Sequence, residues 1–380
     1  MNINHEIYKE NTISSLTRAI QLTDGIEFDL RSTVDGEIII HHDKKLSVSK
    51  KLQSELPIYV EDNSLSDLTN LGFSSFRKVV ENSVILENII EKGKIMNIEL
   101  KLPHPSSKVG SGWFNSKKNI SHVSDLLHKC GKMLTDAKIP KDKIIFYGFF
   151  KHMNYVAKKI NFDWNVSSLF PNQLRFGSRF LNRIFASREF CFRSLKSMIK
   201  LQKNRKSPIL PCGLEYFISP YNRIRIDRRY GLEGKPLLNL LELRKGFPIY
   251  IWPGLIEYEY RLYNAGISIL TDDLNHNQVS LPEGIPRWTR PSTQPLDEEW
   301  QKKFSNTTTE NHKDILLEAS REISPWNELG ESERKNFVNS WSKKWNWGKN
   351  IKFSESQLPW ESVRMIGHRG CGSTPRPIFN

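Results

Sequence analysis

Two carboxylates, Glu27 and Asp29, lie two residues apart in the apolar run Gly25-Ile26-Glu27-Phe28-Asp29-Leu30. In an extended strand successive side chains alternate faces, so both acids point the same way. Carboxylates held that close repel one another unless a cation stands between them. Their hard oxygen donors suit Mg2+ or Ca2+ better than zinc. A second run, Asn97-Ile98-Glu99-Leu100-Lys101, places a third carboxylate, Glu99, on one face with the cation Lys101. A third cluster, His41-His42-Asp43, closes the β-branched run Ile38-Ile39-Ile40. Taken singly, a Glu-x-Asp pair is most often a solvated strand face, and a lone histidine most often an ordinary surface or core residue. Several such clusters at strand ends carry more weight, because a barrel gathers its strand ends on one face.

The elements that must position these residues alternate along the chain. A helix over Asn11–Leu22, with Thr12, Ser14 or Ser15 as its cap, precedes a strand over Ile26–Leu30. Only residues 31–37 separate that strand from Ile38–Ile40, with a Val-Asp-Gly turn between them. A parallel crossover needs about a dozen residues, so these two runs form a hairpin. Further strands are expected over Ile95–Leu100, Ile144–Phe149, Val166–Phe170, Pro208–Phe217, Pro248–Trp252 and Ile267–Thr271. Helices fill the gaps, for example over Ser121–Ala137, Lys151–Lys159 and Gly254–Ala265. That alternation predicts a parallel sheet covered by helices.

The composition shifts from Pro282 to Trp360, where seven of the ten tryptophans lie. Helices are expected over Leu296–Phe304, Thr309–Ile323 and Pro325–Trp345, with Ser324-Pro325 as an N-cap and first-turn proline. The stripe Phe337, Trp341, Trp345 reads as internal packing. A last short strand, Val363–Ile366, runs into Gly367-His368-Arg369-Gly370.

The chain has 380 residues and a formal net charge of +14. That length suits one large α/β barrel or two to three smaller domains. No apolar stretch is long enough for a membrane span. Met1–His5 does not read as a secretory signal. The four cysteines, Cys130, Cys191, Cys212 and Cys371, are widely spaced, which predicts reduced thiols and a cytoplasmic setting. The positive charge favours an acidic partner. It is densest over Arg175–Lys206, with ten basic residues against one acid, Glu189, and interleaved Phe176, Phe180, Ile184, Phe185, Phe192, Leu195 and Ile199. Such a segment suits peripheral contact with an anionic membrane. A helical cap with its apolar stripe on the barrel is the plainer alternative. Specific nucleic-acid binding is not expected, because no recognition motif accompanies the charge.

Glu10-Asn11-Thr12, Gly25-Ile26-Glu27-Phe28-Asp29, Thr33-Val34-Asp35-Gly36, His42-Asp43 and Asn97-Ile98-Glu99-Leu100-Lys101 together resemble the signature of glycerophosphodiester phosphodiesterases. Trp252 and Thr271-Asp272 fit its late strands. The resemblance implies an α/β fold, a TIM (β/α)8 barrel of the phospholipase-C-like phosphodiesterase type, with its site at the C-terminal mouth. It covers about Glu10–Asp272 and the last strand, and is strongest in the first hundred residues. The family opens with a strand ending in His-Arg-Gly before Glu-Asn-Thr. Here that strand lies at the other end, as Arg364–Gly370, which implies a circular permutation. The barrel is then expected over residues 1–280 and 361–380, with 171–207 a basic amphipathic insertion and 281–360 a Trp-rich helical connection.

The resemblance further implies hydrolysis of glycerophosphodiesters to an alcohol and glycerol 3-phosphate. Glu27, Asp29 and Glu99 would hold one divalent cation, Mg2+ or Ca2+. His368 and His42 would act as general base and acid, and Arg369 and Lys101 would bind the phosphate. Trp252 and Tyr147 would shape the pocket, where Tyr147-Gly148-Phe149 and Pro253-Gly254 depart from the family's usual residues. The substrate would be a glycerophosphodiester or a lysophospholipid. The alternatives are a lysophospholipase D-like or sphingomyelinase D-like enzyme, or a catalytically silent phosphate- or membrane-binding barrel.

Overall fold

The computed structural model describes residues 8–46, 56–110, 116–170, 180–274, 292–308, 310–348 and 357–372. Helix α1 (Ile13–Leu22) begins where Thr12 accepts the Ser15 N–H and Ser15 Oγ accepts the Thr12 N–H, a capping box. Of the three residues expected to cap it, Thr12 is the cap and Ser15 its reciprocal partner. Its buried face is Ser15, Leu16, Ala19 and Ile20.

Strand β1 (Gly25–Ser32) pairs antiparallel with β2 (Ile38–Ile40), which pairs in turn with β3 (Ser74–Ser75). The hairpin expected from the short connection is present. Parallel strands follow: β4 (Ile95–Leu100), β5 (Ile144–Tyr147), β6 (Asn165–Val166), β7 (Leu210–Gly213), β8 (Ile249–Gly254), β9 (Ser268–Thr271) and β10 (Met365–His368). Their spatial order is β6-β5-β4-β1-β10-β9-β8-β7. The last strand in sequence thus sits between the first and the ninth, parallel to both. The ladder path does not join β6 to β7. There Ser167 Oγ donates to the Ile209 carbonyl at 3.2 Å and the Phe170 N–H to the Pro211 carbonyl at 3.4 Å. The architecture is TIM-barrel-like, with parallel strands curling into a barrel wall and helices outside.

Period-two alternation explains how these strands serve two cores. Ile26, Phe28, Met96 and Ile98 face outward, packed with Leu16, Ile20, Ile85 and Leu127. The inward set, Ile95, Ile145, Tyr147, Ile209, Tyr250, Leu270 and Ile366, fills the barrel. Each fully buried aliphatic or aromatic side chain contributes about 1.5–3 kcal/mol. Along the inward rows of β4 and β10, apolar residues lie toward the strand start and polar ones toward its end: Ile95 then Asn97 and Glu99, Ile366 then His368. Gly25 begins the β1 row because a Cβ there would collide with the Ile95 carbonyl and side chain.

The Trp-rich region forms helices Glu298–Ser305, His312–Glu322 and Glu331–Lys344. Trp326, Trp341, Trp345 and Trp347 pack together with Val363, Leu241 and Tyr263. Ring centroids are 5.7 Å apart for Trp326–Trp341 and 6.0 Å for Trp345–Trp347. The Phe337, Trp341, Trp345 stripe is internal. This cluster covers the turns at Lys245 and Gly266 that lead into β8 and β9, at the end of the barrel opposite the carboxylates. The expected cap at Ser324-Pro325 is not formed. Pro325 is extended, the Trp326 N–H bonds the Thr293 carbonyl, and only a 3-10 turn, Trp326–Glu328, follows. The long helix starts instead at Glu331, where Glu333 reaches back to the Gly330 N–H.

No helix among the described residues is long and apolar enough to cross a membrane. Part of the basic segment, residues 171–179, lies outside the described residues, as do 281–291 and 349–356 of the Trp-rich stretch.

Candidate active site

Strand register brings the inward polar residues into layers at the C-terminal end of the barrel. Glu27 stands opposite His368 on one side and Asn97 on the other. Asp29 stands opposite Glu99, and Glu99 opposite Tyr147. Oxygens of Glu27, Asp29 and Glu99 come within 4.8 Å of one another, and all three residues are buried. Oxygens on opposite sides of one Mg2+ are about 4.2 Å apart, and of one Ca2+ about 5 Å. The donor set therefore fits one hard divalent cation.

The electrostatics of the trio are uneven. Burial, and then the neighbouring Asp29 and Glu99 charges, push the Glu27 carboxyl well above the usual range. Glu99 is also raised by burial, partly offset by Lys101. Asp29 is buried too, but Lys101 and Arg369 outweigh that and hold it well below the usual range. Lys101 Nζ lies 2.9 Å from Asp29 Oδ1 and 2.5 Å from Glu99 Oε1. Arg369 Nε lies 3.0 Å from Asp29 Oδ2. Both cations expected at a phosphate are thus brought to the carboxylates.

The turn after β10 is shaped to do this. Arg369, Gly370 and Cys371 all have positive φ, at 51°, 71° and 52°. A Cβ on Gly370 would strike Ser15 and Leu16, so glycine permits α1 to pack against the turn. The Arg369 N–H donates to Glu27 Oε2 at 3.1 Å, and its carbonyl accepts the Asn11 N–H at 3.0 Å. Asn11 also donates to Asp29 Oδ2 at 3.0 Å and accepts the Asp29 N–H at 3.2 Å.

Each histidine has an acidic partner. His368 Nδ1 is 2.5 Å from Asp272 Oδ1, and its Nε2 is 3.6 Å from Glu27 Oε2. The Trp252 indole nitrogen lies 2.9 Å from the same Nδ1. A carboxylate that close favours a proton on Nδ1, which leaves the indole in ring contact, centroids 5.2 Å apart, rather than donating. His42 Nδ1 is 2.7 Å from Asp43 Oδ1. Burial lowers the His368 pKa despite Asp272. Burial and then Lys101 lower that of His42 far more. Both imidazoles are therefore neutral at neutral pH, and only on protonation would their charges act on Asp29.

The His42 backbone is fixed from beneath. Its carbonyl accepts Arg31 Nε and Nη2 at 3.1 and 2.7 Å. Arg31 is 1% exposed, pairs with buried Glu61, and donates to the Leu102 carbonyl beside Lys101 at 3.0 Å. Tyr147 lines the barrel interior, and burial, then Glu27, Glu99 and Asp29, raise its pKa.

All nine residues singled out in the sequence thus cluster at one end of the barrel. Sequence reasoning missed Asp272, Glu10, whose Oε2 lies 3.4 Å from Arg369 Nη1, Asn11 and Arg31 as parts of the site. The first three lay within quoted motifs, so a signal was present; nothing in the sequence pointed to Arg31.

Residues 4–159 match the model of the Glycerophosphoryl diester phosphodiesterase family. No curated protein matches the chain. Among solved structures, the chain is similar to a glycerophosphodiester phosphodiesterase of Thermotoga maritima (18% identity over 70% of this chain and 88% of that one, TM-score 0.42). It is also similar to an Oleispira antarctica phosphodiesterase in complex with the product sn-glycerol-3-phosphate (15%, 70% and 87%, TM-score 0.44). A glycerophosphodiester phosphodiesterase of Parabacteroides distasonis gives 13% identity, 70% and 87% coverage and a TM-score of 0.43.

Proposed function

We propose that this chain, a phosphoric diester hydrolase that resembles the glycerophosphodiester phosphodiesterase family, hydrolyses glycerophosphodiesters to an alcohol and glycerol 3-phosphate. The observation that carries the reading is the meeting of His368 with Glu27 at 3.6 Å, within a buried trio of carboxylates. Glu27, Asp29 and Glu99 would hold one Mg2+ or Ca2+. Bound there, the cation would offset the phosphodiester's negative charge, the main barrier to attack.

The chain's own residues move the protons. With Nδ1–H held by Asp272, His368 presents a basic Nε2 toward the site, suited to take the proton of an attacking water, or of the substrate's own glycerol hydroxyl with a water then opening the cyclic phosphate. His42, backed by Asp43, would return a proton to the leaving alkoxide once the charge of the bound phosphodiester raises its pKa and leaves it protonated. Arg369 and Lys101 keep donors beyond those used on carboxylates, enough to meet phosphate oxygens. Trp252 and Tyr147 would wall the pocket. The four free cysteines suit a reducing, cytoplasmic compartment.

The order of elements supports a circular permutation, with β10 as the displaced first strand. On that reading, residues 1–280 and 361–380 form the barrel, 171–207 an insertion and 281–360 the connection that returns the chain to the barrel floor.

The test is release of glycerol 3-phosphate from glycerophosphocholine with Mg2+ or Ca2+ supplied. His42→Ala and His368→Ala should each lower kcat about 10²- to 10⁴-fold with unchanged circular dichroism. Full activity in either variant rejects the two-histidine scheme. Turnover of lysophosphatidylcholine instead would move the assignment to a lysophospholipase D-like enzyme.

A further inference from the structure

Within residues 221–229, which follow β7, the usual partition of side chains is inverted. Arg225 is 3% exposed, while its neighbours Ile224 and Ile226 are 57% and 60% exposed. The buried guanidinium is engaged through both terminal nitrogens. It donates to the Phe190 carbonyl, to the Arg193 carbonyl at 2.9 Å and to Asp227 at 3.0 Å. It also stacks on Tyr216 and Phe190, at 4.3 and 5.0 Å from the ring centres. Asp227 in turn accepts the Leu195 N–H that opens helix Leu195–Asn204. Arg225 therefore staples this segment to the end of helix Phe180–Phe192 and holds both isoleucines outward.

The staple joins two connections into one patch. The Ile226 N–H bonds the Cys191 carbonyl at 3.0 Å, which sets Ile226 beside Phe192, itself 69% exposed. Single exposed apolar side chains need no explanation, but three on a rigid patch do. Arg188, Lys196, Arg223, Arg228 and Arg229 are exposed around them. The two acids here are engaged: Glu189 pairs with Arg193, and Asp227 with Arg225. In a parallel barrel, the connections that leave β6 and β7 lie at the same end as Glu27, Glu99 and His368.

We infer that Phe192, Ile224 and Ile226, with the surrounding arginines, are a docking surface for an anionic lipid bilayer. The apolar tips enter the headgroup boundary, and the cations meet lipid phosphates and carboxylates. A pre-fixed patch loses little conformational entropy on docking. Projecting tips ringed by cations suit a laterally uniform anionic surface rather than a partner's pocket. Binding itself does not depend on the proposed catalysis. Its consequence, a mouth turned toward lipid-derived diesters, rests on that reading.

The experiment is co-sedimentation of the full chain with vesicles of phosphatidylcholine alone or mixed with phosphatidylserine. The wild type should pellet with the phosphatidylserine vesicles at low salt and be released at high salt. Phe192→Ser/Ile224→Ser/Ile226→Ser, and separately Arg223→Gln/Arg228→Gln/Arg229→Gln, should each lose at least about tenfold in binding. Both variants should keep the wild-type melting temperature and turnover of water-soluble glycerophosphocholine. Absence of wild-type binding at low salt overturns the inference, as does wild-type binding by both variants. Vesicle-independent self-association that the serine variant abolishes also overturns it, in favour of a second copy as the occupant. An inactive but vesicle-bound wild type would sink the catalytic reading and leave this one standing.

Discussion

Asp24 and Met365, near opposite ends of the chain, bond in both directions. The Asp24 N–H donates to the Met365 carbonyl at 2.8 Å, and Asp24 Oδ2 accepts the Met365 N–H at 2.9 Å. Oδ1 of the same carboxylate accepts the Thr293 N–H at 2.6 Å. One fully buried side chain thus anchors both β10 and the segment that leads to it. Asp24→Ala would strand two buried backbone donors, at about 1–3 kcal/mol each. Urea unfolding should show a loss of about 2–5 kcal/mol. Limited proteolysis should release the C-terminal segment first, and unaltered stability would show that the anchor is dispensable.

Arg31 couples the His42 loop to the Lys101 strand end, and Glu61 is its buried counter-ion. Arg31→Met leaves that carboxylate alone in the interior, at about 3–5 kcal/mol. Arg31→Met/Glu61→Leu should recover most of the stability. It should not recover kcat, because the His42 carbonyl still lacks its two donors. A double variant with wild-type turnover would confine Arg31 to a structural role.

A cation bound by the carboxylate trio would relieve the repulsion that raises Glu27 and Glu99. Mg2+ or Ca2+ should therefore raise the melting temperature. At a hundredfold excess over Kd the gain is about 2.7 kcal/mol. Glu27→Gln and Glu99→Gln should lose that response. Calorimetry with the metal alone reads it out, independent of turnover.

His41 sits edge-on to Phe73, its Nε2 buried without a partner, and burial lowers its pKa to about 3. Below the unfolded value near 6.5, the unfolded chain binds the proton and the folded chain does not. This contribution to stability is therefore complete above that value and is lost as pH falls toward 3. Between pH 7 and pH 5 the loss is up to about 2 kcal/mol. In His41→Gln that part of the pH dependence should disappear, as read from urea midpoints at the two pH values. An unchanged slope would place the titration elsewhere.

Glu27, Asp29 and Glu99 could be read from the sequence because alternation along a strand is local. Once Ile26, Phe28 and Ile98 must face an outer core, the residues between them must face inward together. The β1–β2 hairpin was legible for the same kind of reason, since the link is too short to cross over. Ser324-Pro325 misled because a capping pattern competes with tertiary bonds, and here the Trp326 N–H is taken by Thr293. Asp272 stood in a quoted motif, yet its pairing with His368 depends on β9 lying next to β10.

The amino-acid order alone determined which side chains carry donors, protons and charge, and which of them share a face within each strand. Folding decided who stands across from whom: His368 beside Glu27, Arg31 beneath His42, Arg225 inside with Ile224 and Ile226 outside. The reason is one of range. Backbone periodicity is set by covalent geometry over a few residues, whereas neighbours between strands follow from closure of the whole barrel and from the burial that closure forces on each charge.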